Sequence, residues 1–290
     1  MVWWGVLTPA RALLGTVAVG ADAPVAVMGA LNVSPESFYA GSVHRRLDDL
    51  LAAALSMVEA GASLVDVGAR STAPYRASDI DEAQEADRLG RAVELLAAKV
   101  SVPIAADTAR RQPAARALEA GAAILNDQTG LADARLAELA RHHGASVILM
   151  ASPAGSVPVA HAHDPVTGVR TCLQVILERA RAAGIPDERI VLDPGIGFFR
   201  ATAVPWDVWD TTVLAGLQAL TALGRPLCVG VSRKSFLGAI TGQRDPGQRL
   251  PASLAAAAVA VINGAAVIRA HDVAQTRDAV RVAERLRPRP

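Results

Sequence analysis

Four places in the chain share one punctuation: a helix-forming run closes on glycine, and the next residues are apolar and prone to extend. They read "EAGASLVDV", "EAGAAILND", "RHHGASVIL" and "INGAAVIRA". Glycine adopts the left-handed conformation that stops a helix, so the chain can turn at once into a strand. Repeated along a chain, this order demands parallel strands joined by helical crossovers. Candidate strands are 25–31, 64–68, 102–106, 123–126, 146–150, 190–193, 227–232 and 266–270. Each is short and apolar along its length, as strands buried on both faces are. Amphipathic helical runs such as 46–60 and 110–120 fall between them.

Eight such strands argue for a closed (β/α)8 barrel over an open doubly wound sheet. The 290 residues suit a single barrel domain spanning 1–290, and no long polar linker divides them. Residues 1–24 read as an N-terminal hairpin lid. Within "TVAVGADAPVAVMGA", two strands flank the turn "GADAP", and the second opens the barrel at residue 25. The formal charge of +1 provides neither a basic stripe for nucleic acid nor an acidic tail. Pro9 and Arg11 interrupt the apolar N-terminus, and no run reaches the roughly 18–20 residues of a membrane span. Cys172 and Cys228 are far apart and in apolar surroundings, as buried thiols of a reducing compartment would be. The expectation is a soluble, cytoplasmic protein.

Every candidate strand ends at or just before a chemically capable residue: Asn32, Asp66, Asp107, Asn126, Met150, Asp193, Ser232 with Lys234, and Arg269 with His271. Barrel enzymes build their sites at that end of the strands. Each residue also has a bland reading. Asp107 can cap a helix, Asn126 and Asp127 can make a turn, and "LDPGIGFF" is rich in turn residues. Asp66 can bond the backbone or hydroxyls of Gly68, Ser71 and Thr72. Converging in one mouth, these acceptors need partners, and an amino-pyrimidinone ring supplies N–H donors beside a carbonyl. Lys234, Arg269 and His271 form a second, cationic group suited to phosphate oxygens. Arg233 and Lys234 could instead open a helix, although two cations at that end are unfavourable without an anion.

No GxxxxGK[ST], no GxGxxG opening a helix after the first strand, no HExxH and no GxSxG elbow is present. His142 and His143 sit where a helix should end, and His161 and His163 lie in a loop where a surface role outweighs a metal site.

The motifs "MGALNVSPESF", "ADT", "ILND", "LDPGIGF", "GVSRKSFLG" and "VIRAHDV" resemble those of dihydropteroate synthases, in the same order from residue 28 to the last strand. The resemblance implies a transferase that joins 7,8-dihydropterin-6-ylmethyl diphosphate to an arylamine, 4-aminobenzoate in the usual case, and releases diphosphate. It implies pterin contacts at Asp107, Asn126, Met150, Asp193 and Lys234. Asn32, Arg269 and His271 match diphosphate positions, with Asn32 at the Mg2+ site. Lys234, Arg269 and His271 would serve the chemistry. Thr72, Pro74, Phe198 and Ser235 match positions around the arylamine, and Arg70 falls beside them.

Two loops depart from the family pattern. "PESFYAGS" carries Ala40 where the family has aspartate. "ARSTAPY" carries Arg70 for a glutamate and Ala73 for an arginine. Arg70, with Arg76, could therefore serve an arylamine bearing a ribosyl phosphate, as in methanopterin synthesis. A third possibility is a pterin-carrying barrel of the corrinoid methyltransferase kind. The family also implies a homodimer through the C-terminal helices and sensitivity to sulfonamides. The stripe Val280, Val282, Ala283 and Leu286 in "AQTRDAVRVAERL" is expected to pack on the barrel.

Overall fold

The computed structural model describes residues 10–33, 46–70, 80–153 and 163–287. Residues 11–20 form an antiparallel hairpin of β1 (Arg11–Leu14) and β2 (Val17–Gly20). Eight parallel strands follow: β3 (Ala26–Asn32), β4 (Leu64–Gly68), β5 (Ile104–Asp107), β6 (Ile124–Asp127), β7 (Ser146–Met150), β8 (Ile190–Asp193), β9 (Leu227–Gly230) and β10 (Ala265–Ala270). They close in the order β10-β3-β4-β5-β6-β7-β8-β9. Between them run α1 (Leu47–Glu59), α2 (Glu82–Ala97), α3 (Arg111–Glu119), α4 (Ala134–His142), α5 (Pro165–Ala182), α6 (Trp206–Ala215), α7 (Ser235–Thr241) and α8 (Leu250–Ile262), and α9 (Val273–Leu286) completes the ring. The (β/α)8 barrel with its N-terminal hairpin is thus the architecture the glycine-stop pattern demands.

Successive strand side chains point to opposite faces, and that alternation sorts the core. Met28, Leu64, Ala105, Ile124, Ile148, Val191, Cys228 and Val267 pack together inside the barrel. Their neighbours Val27, Leu125, Val147, Leu192, Val229 and Ile268 pack outward against helices. Two residues toward the mouth from that inner layer stand Ala30, Asp66, Asp107, Asn126, Met150, Asp193, Gly230 and Arg269. The register that buries the apolar layer therefore also places the polar one above it, because a period-two strand cannot do one without the other.

The hairpin differs from expectation in where it turns. Its reversal falls at Gly15, with φ of 60°, and "GADAP" is the link into β3. Gly15 lies so close to Pro103 and Ala123 that a Cβ there would come within 2.8 Å of the Pro103 Cβ. Its N–H donates to Ser146 Oγ at 3.2 Å. Those partners precede or begin strands, so the hairpin closes the end of the barrel opposite the polar layer. Ala12, Leu14 and Val19 join the interior cluster there.

The C-terminal stripe divides. Val280 and Ala283 are buried, whereas Val282 and Leu286 are 61% and 67% exposed. Val282 lies two residues from Val280, about 200° around the helix, so the two cannot share a face.

Leu14 is fully buried at the closed end. Leu14→Ala should lower the unfolding free energy by about 2–5 kcal/mol, measured by urea denaturation. A loss below about 1 kcal/mol would show that the hairpin is not integral to the core.

Candidate active site

Arg269 crosses the mouth from β10. Its Nε donates to Asp66 Oδ2 at 2.6 Å and an Nη donates to Asp107 Oδ2 at 3.1 Å. Asn126 Nδ2 donates to both oxygens of Asp66, at 3.2 and 3.3 Å. Gln128 Nε2 donates to the other Asp107 oxygen at 2.8 Å. Asp66 is fully buried, and burial pushes its carboxyl upward against the opposing pull of Arg269. Burial disfavours the Arg269 cation, yet Asp66 and Asp107 hold it above its ordinary value, so it stays charged.

This corrects the reading of Asp66. Its partners are Arg269 and Asn126 across the barrel, because its side chain points inward. Asp127, of the other parity, is the turn residue. It accepts from Thr129 N–H at 2.8 Å, Thr129 Oγ1 at 2.7 Å and Leu131 N–H at 2.6 Å. Asp107 caps no helix, since α3 begins four residues later behind Arg110.

On the opposite wall, Asp193 ends β8 beside Met150 of β7. Its Oδ1 accepts from Gly195 N–H at 2.7 Å, and burial raises its carboxyl to about 6. Lys234 enters from the turn after β9. Burial lowers its ammonium to about 8, while Asp193 and Asp210 oppose that shift. Its Nζ donates to the Ile196 carbonyl at 2.7 Å and lies 4.5 Å from the centre of the Phe198 ring.

The lysine is aimed by its neighbour. Arg233 holds a left-handed φ of 56°, costly for a residue with a Cβ. Four contacts fix it: two to Asp272 at 2.9 and 2.7 Å, and one each to the Pro246 and Gly247 carbonyls at 2.9 and 2.8 Å. Arg233 is therefore an anchor, and Lys234 projects into the mouth.

His271 follows β10, with Nδ1 3.0 Å from Ser232 Oγ. The Ser232 oxygen also accepts the His271 backbone N–H at 3.3 Å, and where its hydroxyl donates to Nδ1 the ring proton sits on Nε2. Burial, with the cations Arg269, Arg233 and Lys234, lowers the imidazole to about 3. It is a neutral donor at physiological pH.

Asn32 ends β3 at the same rim. A Cβ placed on Gly68 would lie 3.5 Å from both Asn32 Oδ1 and Asp107 Oδ2, so the bare glycine leaves a gap flanked by oxygens. Among the described residues, no group of three or more His, Cys, Asp or Glu gathers as a metal cage.

Ser235 Oγ accepts from Arg200 at 2.6 Å. Arg70 turns the other way. Its Nε lies 3.2 Å from Glu85 Oε2, within a buried knot that also holds Arg110 at 3.1 Å and Thr108 Oγ1 at 2.6 Å. Thr72, Pro74, Ala40, Ala73, Arg76 and His161 lie outside the described residues.

Four participants carry no signal that strand ends alone would reveal: Gln128, Glu85, Arg200 and Asp210. Asp210 is fully buried in α6, and its Oδ1 accepts from Gly197 N–H at 2.7 Å. Its tryptophan-flanked run "PWDVWD" is the one local hint, a carboxylate among residues that bury.

The mouth of the barrel thus gathers a carboxylate-rich wall, an amide and a lysine beside the Arg269 guanidinium. The family described as pterin binding enzyme matches residues 28–271, and the chain belongs to that family. It is 35% identical to the dihydropteroate synthase of Escherichia coli K12, over 89% of this chain and 90% of that protein. It is 38% identical over 90% of its length to a probable bifunctional folylpolyglutamate synthase/dihydropteroate synthase of Halobacterium salinarum, of which it spans 31%. A Xanthomonas albilineans dihydropteroate synthase solved with 4-aminobenzoic acid superposes with a TM-score of 0.85 at 33% identity, covering 98% of this chain and 100% of that one.

Proposed function

We propose that the chain is a dihydropteroate synthase: it condenses 7,8-dihydropterin-6-ylmethyl diphosphate with 4-aminobenzoate and releases diphosphate, a step of folate biosynthesis. The observation that carries this reading is the Arg269 bridge between Asp66 and Asp107, with Asn126, Asp193 and Lys234 facing the same opening. Asp107 and Asp193 accept the ring N–H donors of the pterin. Asn126 and Lys234 present donors to its carbonyl and ring nitrogen, and Met150 packs on its face.

In the reaction the bond between the pterin methylene and the diphosphate oxygen breaks, and the electron pair leaves with the diphosphate. The arylamine lone pair forms the new C–N bond, and the nitrogen proton passes to the departing oxygen or to water. A neutral aniline is nucleophilic enough, so the missing triad is no obstacle. What the step needs is stabilisation of the leaving charge. Arg269 brings a permanent cation, and His271 brings an Nε2–H whose neutrality avoids crowding a third charge beside Arg269 and Arg233. Phe198 and Ser235 border the arylamine.

Mg2+ fits this rim. It prefers oxygen ligands and commonly takes one or two from protein and the rest from substrate phosphates and water. Asn32 Oδ1 beside the gap over Gly68 offers such a place. When bound, the ion would neutralise diphosphate charge.

The pairing of Arg70 with Glu85 favours a simple arylamine over one bearing a ribosyl phosphate. The Arg269 cation with the neutral His271 beside it at the rim favours diphosphate transfer over a pterin-carrying methyltransferase role. A homodimer through α8 and α9 is supported by the exposed Val259, Ile262, Val282 and Leu286 on these adjoining helices. Among the described residues, no helix is long and apolar enough to cross a membrane, and a role in folate synthesis supports a cytoplasmic location.

Purified protein with the pterin diphosphate, Mg2+ and 4-aminobenzoate should release diphosphate, and a chelator should stop it. Lys234→Ala and Asp193→Ala should each cost more than about 2 kcal/mol in kcat/KM, since each strips a polar partner from a desolvated ring. Near-normal kinetics in both would misplace the pterin.

The pH profile follows from the same two groups. Asp193 accepts through both oxygens, with a full charge, only when ionised, above about 6, and Lys234 is cationic only below about 8. The value of kcat/KM should rise through the first and fall through the second. A profile flat across that window would contradict the assignment.

A further inference from the structure

We propose that Arg200 is the specificity-determining residue that selects an arylamine carrying a carboxylate; this rests on the arylamine site proposed at Phe198 and Ser235. Arg200 lies between β8 and α6, two residues beyond Phe198. Three contacts from three places hold it. An Nη donates to Ser235 Oγ at 2.6 Å, Nε donates to the Gly197 carbonyl at 3.2 Å, and the guanidinium carbon lies 4.4 Å from the centre of the Trp206 ring. Trp206 is the first residue of α6 and Ser235 the first of α7, so the guanidinium spans two helix starts.

That arrangement orders a long side chain before any ligand arrives, which lessens what binding must immobilise. It also tunes the serine. Ser235 Oγ accepts from Arg200, so the hydroxyl proton is directed to another acceptor. An arylamine lying between Phe198 and Ser235 then meets a guanidinium and a hydroxyl donor at its far end. A carboxylate satisfies both with charge-assisted hydrogen bonds, whereas a neutral amide satisfies them poorly.

The rest of the sequence makes room for this role. The family's loop-two arginine is Ala73 here, and Arg70 is engaged with Glu85. Lys234 donates to the Ile196 carbonyl and sits over the Phe198 ring. Arg200 supplies the arylamine end with a cation from a different loop. A purely structural Arg200 would only pin residues 199–205 onto α6 and α7.

The test compares two acceptors, 4-aminobenzoate and its neutral isostere 4-aminobenzamide, by their kcat/KM at saturating pterin diphosphate. It uses the full chain, Arg200→Gln and Arg200→Lys. The unaltered protein should favour the carboxylate by at least tenfold. Arg200→Gln should bring the two acceptors within about threefold, chiefly by raising KM for the carboxylate acceptor, and Arg200→Lys should restore part of the preference. The KM for pterin diphosphate should move less than twofold. If Arg200→Gln keeps the full preference, or lowers both acceptors equally, Arg200 does not select the carboxylate, while turnover by the unaltered chain leaves the proposed reaction standing. No turnover of either acceptor by the unaltered chain overturns both.

Discussion

One guanidinium organises the mouth of this barrel. Arg269 binds Asp66 and Asp107 from the far side of the β10–β3 seam, and so ties strands β4, β5 and β10 together above the apolar interior. Its charge keeps a fully buried Asp66 from being an isolated carboxyl, and Asp66 in turn orients Asn126. Gln128 steadies the remaining oxygen of Asp107. Breaking such a pair exposes a buried charge without compensation, which is costly even where the intact pair adds little net stability. The bridge thus acts more on shape than on stability. It presets acceptors on one wall while a cation remains at the rim.

The second wall is set by backbone. Gly195 and Gly197 take positive φ of 71° and 89°, curling the chain so that the Ile196 carbonyl meets Lys234 and the Gly197 N–H meets Asp210. A Cβ on Gly197 would fall 2.8 Å from Lys234 Cδ, so the lysine packs where only glycine permits. Arg233, held in its own left-handed turn by Asp272 and two carbonyls, points the lysine at that loop. Two loops with left-handed turns thereby support one another.

Much of this is legible in the chain because strand period and barrel register are rigid rules. Glycine stops and short apolar runs mark the eight barrel strands to within two residues, and parity then puts Asp107, Asn126, Asp193 and Arg269 on the inner face. What escapes is long-range. Nothing near Asp66 in sequence reveals that its partner is Arg269, on the last strand of the barrel, so nearby hydroxyls look like better candidates. Arg70 sits just past the end of β4, yet the buried Glu85, in the first turn of α2, captures it. The hairpin turn is misjudged for a local reason: "GADAP" has the stronger turn composition, whereas Gly15 is fixed by crowding against Pro103 and Ala123. Arg200 and Asp210 become visible only once loops meet in space.

Under the proposed function, Asp66 and Arg269 act as one unit that shapes the site for the pterin. A double-mutant cycle with Asp66→Ala, Arg269→Ala and the pair, read in kcat/KM for the pterin diphosphate, tests it directly. The account predicts strong non-additivity, a coupling of more than about 1 kcal/mol, because the first loss already dismantles the bridge. Additivity within about 0.5 kcal/mol would contradict it, and would mean that the two residues serve the pocket independently.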